Sequence, residues 1–95
     1  MNTSDIISYF CKKRKVGIAQ VLSRIDQLDV NVTRYMIWHY LHKKLSISAG
    51  KLSALFKRNR PTIFRGIRVL EQHMFFHPDI KTNYYEIVKE LEELE

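Results

Sequence analysis

Apolar residues recur at intervals of three and four along almost the whole chain, and no stretch alternates long enough to specify a sheet. Ile6, Ile7 and Phe10 mark a first helix that starts after Thr3 or Ser4, with Asp5 favouring its positive end. Beyond the basic run Lys12-Lys13-Arg14-Lys15, the residues Ile18, Val21, Leu22 and Ile25 define a short second helix. Asp26 to Thr33 reads as a loop, with cap candidates at Asn31 and Thr33. A third helix, about Arg34 to Lys44, places Ile37, Trp38, Leu41 and Leu45 on one stripe. Ser48 caps a fourth helix carrying Leu52, Leu55 and Phe56, and Lys57-Arg58-Asn59 forms a tight connection to the next. Pro61 suits a first helical position, where its missing N–H costs no bond. Arg60, preceding the proline, is expected outside helical geometry. Ile63, Ile67, Leu70 and Met74 then make a clean buried stripe, which His77-Pro78 interrupts. A last helix from about Asp79 carries Ile80, Tyr84, Ile87, Val88, Leu91 and Leu94. The pattern predicts an all-α domain of six helices, two of them short, with no internal repeat.

Ninety-five residues supply one modest core, so the chain reads as a single domain, residues 1–95. Its 45% apolar content and eleven aromatic residues exclude a disordered tail. The single cysteine, Cys11, excludes an internal disulfide framework and a multi-cysteine zinc site, and fits a reducing compartment. The longest purely apolar run, Tyr35-Met36-Ile37-Trp38, is far too short to span a membrane, and the first residues lack the pattern of a signal peptide. A cytoplasmic location is the expectation.

Charge sharpens this picture through its distribution. Lys12 to Arg68 holds fourteen Lys and Arg against two acids, Asp26 and Asp29, whereas residues 69–95 hold seven acids against Lys81 and Lys89. A basic body with an acidic end suits a polyanion binder, and also a merely solubilising surface. The fourth and fifth helices choose between them. A short helix, a connection of three or four residues and a longer helix have the shape of a helix-turn-helix, here about residues 48–76, whose second helix enters the DNA major groove by its N-terminal end. Arg65 and Arg68 fall opposite the apolar stripe, while Arg58, Asn59, Arg60 and Thr62 cluster at the start of the helix. Arginine donates bidentately to guanine, asparagine pairs bidentately with adenine, and a threonine methyl suits the thymine methyl. An antiparallel helix pair with a solvated basic face would show the same spacing.

The stretch from Arg34 onward resembles the C-terminal DNA-binding domain (domain IV) of the bacterial replication initiator DnaA. The matching features are Arg34-Tyr35-Met36-Ile37-Trp38-His39-Tyr40-Leu41, then Ser48, Leu52 and Phe56, then Arg58-Asn59-Arg60-Pro61-Thr62-Ile63, and finally Gly66, Arg68 and Leu70-Glu71. Residues 5–25 are similar to that domain's leading helix and short follower. Within the family signature Arg-Asp-His-Thr-Thr only Arg58 and Thr62 match, and the single Lys57 stands where the family has a glycine pair. Asp26 and Asp29 lie in a linking stretch that is usually cationic in the family. The resemblance implies that Arg34 reaches the minor groove, that Arg58, Asn59, Arg60 and Thr62 read major-groove edges, and that Ser48, Lys51 and Lys12–Lys15 hold phosphates. Lys57 sits in the implied turn, and Arg65 and Arg68 lie along the implied recognition helix. For Arg34 the alternative is a first-turn arginine packing its stem on the core. For Lys12–Lys15 it is a solvated helix end.

Other chemistries find little support. His39/His42 and His73/His77 have helical spacing, but neither pair has the glutamate of a metalloprotease helix or a cysteine partner, so no metal ligand is assigned. Cys11 beside the basic run invites a lowered thiol pKa, against the alternative of a half-buried bystander. Gly17, Gly50 and Gly66 are isolated and form no phosphate-binding loop, so no nucleotide cofactor and no enzyme activity are expected. Two functions remain. One is a stand-alone module for double-stranded DNA, lacking the initiator's ATPase, such as a regulator or replication accessory of a mobile element. The other is an interaction module that docks a protein through the acidic end, Glu86, Glu90, Glu92, Glu93 and Glu95.

Overall fold

The first helix is started by its own leading polar residues. In the computed structural model, which describes residues 1–94, Asn2 Oδ1 accepts from the Asp5 N–H at 2.8 Å and the Asp5 carboxylate accepts from the Asn2 N–H at 3.4 Å. This reciprocal cap satisfies donors that a first turn leaves open. It makes Asn2 the cap in place of Thr3 or Ser4, and α1 spans Thr3–Arg14. Lys15, in left-handed geometry at φ 59°, ends the helix behind a last turn of three cations that suit its negative end. Then follow α2 (Ile18–Leu22), α3 (Leu28–His39), α4 (Ala49–Phe56), α5 (Arg60–Phe76) and α6 (Pro78–Leu94). Among the described residues there is no strand, and the all-α class is as the periodicity predicts.

Helix α3 is the hub, packing on α1, α2 and α5, while α5 joins it to α4 and α6, and α6 returns to α1. Trp38, Tyr40, Tyr84, Phe10 and Phe56 are the largest fully buried side chains. The predicted stripe Ile63, Ile67, Leu70 and Met74 is buried, and Gly66 shares its face. At Gly66 the α3 and α5 backbones approach so closely that a Cβ would lie 2.6 Å from the Trp38 ring and 2.7 Å from that of Tyr35. Only glycine fits there.

Several expectations need correction. Asp26–Thr33 is not a loop throughout, because α3 begins at Leu28. Its polar residues are absorbed by partners: Thr33 Oγ1 donates to the Asp29 carbonyl at 2.8 Å, and Asn31 Nδ2 donates to Asp26 Oδ1 at 2.6 Å. Val30 and Val32 are buried beside them. Neither Asn31 nor Thr33 caps a helix. The third helix also does not end regularly, since Tyr40–Lys44 widens into a π-helical turn. Of the apolar residues assigned to the second helix, only Val21 is buried. A five-residue helix makes little more than one turn, so it presents a single side chain inward. Leu45, Leu55 and Leu94 are exposed as well. Arg60 is the first residue of α5, because Asn59 takes the extended cap conformation and Pro61 moves to the second position.

Candidate nucleic-acid interface

The local sequence builds the α4–α5 corner from two side-chain caps and one left-handed residue. Ser48 Oγ accepts from the Lys51 N–H at 3.1 Å and starts α4. Lys57, at φ 54° and ψ 46°, ends α4 and turns the chain, a conformation that usually favours glycine. Asn59 Oδ1 accepts from the Thr62 N–H at 2.9 Å and starts α5. Further bonds pin the corner to the body. The Ser53 hydroxyl donates to the Arg58 carbonyl, Arg58 Nη2 donates to the Ser23 carbonyl at 2.9 Å, and Arg24 Nη2 donates to the Lys57 carbonyl at 3.2 Å.

The candidate residues separate into two groups. Ser48, Lys51, Lys57, Asn59, Arg60, Arg65 and Arg68 are exposed, and Thr62 is half-buried. Arg60, Arg65 and Arg68 have no ion-pair partner, since among the described residues only Lys13–Glu90 and His39–Glu71 come within ion-pair distance. The Arg60 guanidinium lies beside Gly50, where a Cβ would stand 3.1 Å from Nη2. On α5, Arg65 and Arg68 lie opposite the buried stripe and Arg60 on its flank at the helix start, joined by Phe64, whose exposed ring meets His42 edge-on at 5.4 Å between centroids. The periodicity marks position 64 as outward, but sequence reasoning did not single it out.

Arg34 and Arg58 turn inward. Arg34 is 3% exposed, and its five N–H groups are all engaged. Nε donates to the Val21 carbonyl at 2.9 Å, Nη1 to the Ile25 carbonyl and to Asn31 Oδ1, and Nη2 to the Gln20 and Ser23 carbonyls. The minor-groove role implied for Arg34 is therefore corrected. The guanidinium satisfies the open carbonyls at the end of α2, and burial pulls its pKa down, helped by the nearby Arg58 charge. Arg58 is half-buried with two N–H groups spent on Ser23 and Phe56 carbonyls, so it faces the end of α2 in place of open solvent. Asn59 keeps its amide N–H groups, but its oxygen already serves the helix cap.

The Lys12–Lys15 cluster also divides. Arg14 is drawn into the fold, where Nε donates to Thr33 Oγ1 at 3.2 Å and Nη1 to Asn83 Oδ1 at 2.7 Å. Desolvation lowers its pKa. Lys13, also exposed, pairs with Glu90 at 3.3 Å, and Tyr9 donates to the same carboxylate at 2.8 Å, leaving Lys12 and Lys15 as the exposed cations there without an ion pair among the described residues. That use of Glu90 narrows the acidic face of α6, and Glu95 lies outside the described residues. Cys11 is buried and desolvation raises its thiol pKa, which overturns the thought of an activated thiol.

The histidines are used separately. His39 Nδ1 lies 2.7 Å from the buried Tyr84 hydroxyl, and His42 Nδ1 is 2.8 Å from the Ile47 carbonyl. Burial pushes the Tyr84 phenol up strongly. Among the described residues no group of three or more His, Cys, Asp or Glu is placed to hold a metal ion, and no helix is long and apolar enough to cross a membrane. Compared with known proteins, the chain matches no protein-family model and no curated sequence, so the likeness to the initiator's domain rests on the residues quoted above.

Proposed function

We propose that the chain is a binding module for double-stranded DNA, with α4 and α5 as a helix-turn-helix and the N-terminal half of α5 as its recognition helix. One observation carries this reading: Arg65 and Arg68, on the face of α5 opposite its buried stripe, and Arg60, at the start of the helix, stand exposed and unpaired in a region nearly free of acids. An intramolecular role for these cations would show partners, as Arg14, Arg34 and Arg58 do. Lys51 and Lys57 flank the same corner and supply phosphate contacts, which set register without reading sequence. The α5 geometry puts Arg60 at the helix start, the position from which a recognition helix reaches base edges. With the resemblance to the initiator's DNA-binding domain, this supports a regulator or replication accessory that works by binding duplex DNA.

The test is fluorescence anisotropy with labelled duplexes across a salt series. About four to seven phosphate contacts give a log–log slope of roughly −4 to −6. Removing the charges of Arg65 and Arg68 together reduces that slope by about 2. A flat salt dependence in the parent overturns the proposal.

A further inference from the structure

A small pocket opens where the α2–α3 connection, α3 and the α4–α5 corner meet, and its walls are crowded with guanidinium groups. Arg24, Arg34 and Arg58 line it, together with Tyr35, Trp38 and Thr62. Its volume is about 150 Å³, room for more than one water molecule. Neither Arg34 nor Arg58 has a carboxylate within ion-pair distance. Asp26 is the one acid lining the pocket; its Oδ1 accepts from Asn31, and from beyond ion-pair distance its charge offsets the burial of Arg34 only in part. The two guanidiniums are close enough that the Arg58 charge depresses the Arg34 pKa. Burying like charges together is costly unless an anion compensates them.

A second observation concerns a residue that lines the same pocket. Trp38 is 1% exposed, and its Nε1–H is the one buried side-chain donor among the described residues that meets no acceptor. Buried donors in native proteins are nearly always paired, and an orphan signals a missing partner. The pocket keeps other donors in reserve. Arg58 has three N–H groups beyond those given to Phe56 and Ser23, and Arg24 spends one on Lys57. Arg34, with all five donors engaged, contributes charge alone.

We propose that this pocket is a socket for a tetrahedral oxyanion, a phosphate group, held by the free N–H groups of Arg58 and Arg24, the Thr62 hydroxyl and the Trp38 Nε1–H. A phosphate offers four oxygens and negative charge, which matches convergent donors in a positive, partly desolvated site. The inference rests on the DNA reading only for the source of the phosphate. In that reading a backbone phosphate enters beside the start of α5 and fixes how the corner sits on the duplex. The alternative source is a free phosphate ion or phosphomonoester.

Trp38 is the only tryptophan, so its indole N–H gives one resonance in a ¹H–¹⁵N spectrum and reports the pocket directly. Inorganic phosphate, titrated against sodium chloride at matched ionic strength, is expected to move that peak downfield and saturably. Thr62→Val is expected to weaken phosphate binding about tenfold, the weight of one hydrogen bond to a charged group. Trp38→Phe, which keeps the ring and removes the donor, should weaken it similarly when read by calorimetry. A duplex that shifts the same peak identifies a backbone phosphate as occupant. A shift with inorganic phosphate alone identifies the free oxyanion, and anisotropy in the same buffer then shows separately whether the duplex binds at all. If the duplex binds by anisotropy while the indole peak stays still with both ligands, the socket is overturned and the DNA reading stands. A peak that merely drifts with salt, equally in chloride, also overturns the socket.

Discussion

Replacing Gly66 by alanine tests the central packing claim, that α3 and α5 meet too closely for any side chain. The added Cβ would lie 2.6 Å from two atoms of the Trp38 ring and 2.7 Å from the Tyr35 ring, about 0.8 Å inside the 3.4 Å at which ordinary contact begins. Trp38 cannot retreat freely, because Phe56 meets its ring edge-on with centroids 5.6 Å apart. Overpacking of this kind costs about 1–3 kcal/mol. Alanine in a helix interior recovers about 0.8–1.0 kcal/mol over glycine. With three ring atoms in conflict the strain dominates, and a net loss of about 1–2 kcal/mol is expected, roughly 5–15 °C in Tm for a domain of this size. Gly50→Ala is the matched control. There the nearest atom is the far end of the flexible Arg60 side chain, at 3.1 Å, which can swing aside. That variant should gain about 0.5 kcal/mol, since propensity counts for less in a first turn. Thermal melts by circular dichroism read both. If Gly66→Ala melts at or above the parent while Gly50→Ala rises, the close approach of α3 and α5 is wrong.

Arg34→Lys is expected to lose about 3 kcal/mol or more in urea titrations, because three ammonium donors cannot serve five acceptors and buried carbonyls are left open; unchanged stability with lost DNA binding would restore the minor-groove role. His39 has its pKa lowered first by burial, so the unfolded chain takes up a proton at higher pH than the folded one. The stability His39 contributes is thus present above the unfolded value near 6.5 and lost as pH falls towards the lower folded value. Urea midpoints between pH 5 and 8 should decline on the acid side in the parent and flatten in His39→Gln; identical profiles would rule out this linkage. Arg60→Ala, assayed against a randomised duplex library, should relax the preference for a guanine more than it lowers overall affinity, at about 1–3 kcal/mol for that position. Equal weakening on all sequences would make Arg60 a phosphate contact.

Periodicity alone identified the elements whose apolar stripes are long. Ile63, Ile67, Leu70 and Met74 recur over about three turns, and Tyr84, Ile87, Val88 and Leu91 over about two, so burial of one face overrides local preference. Ser48 at the start of α4 was legible for a similar reason, since its capping bond spans only three residues. Asn59 was read as connection and base reader before its capping bond placed it at the start of α5. The start of α3 was not legible. Asp26, Asn31 and Thr33 look like loop residues, and only their bonds to Arg34, to one another and to the Asp29 carbonyl show why a helix tolerates them. The cations show the same division. Arg14, Arg34 and Arg58 have the same side chain as Arg60, Arg65 and Arg68, and charge counting treats all six alike. Tertiary structure separates them, because open carbonyls at the end of α2 and the amide of Asn83 recruit the first three. A guanidinium has five donors and goes wherever unpaired acceptors are buried within its reach. Most of those acceptors belong to residues 9 to 69 positions distant in the chain, and no local pattern carries that information.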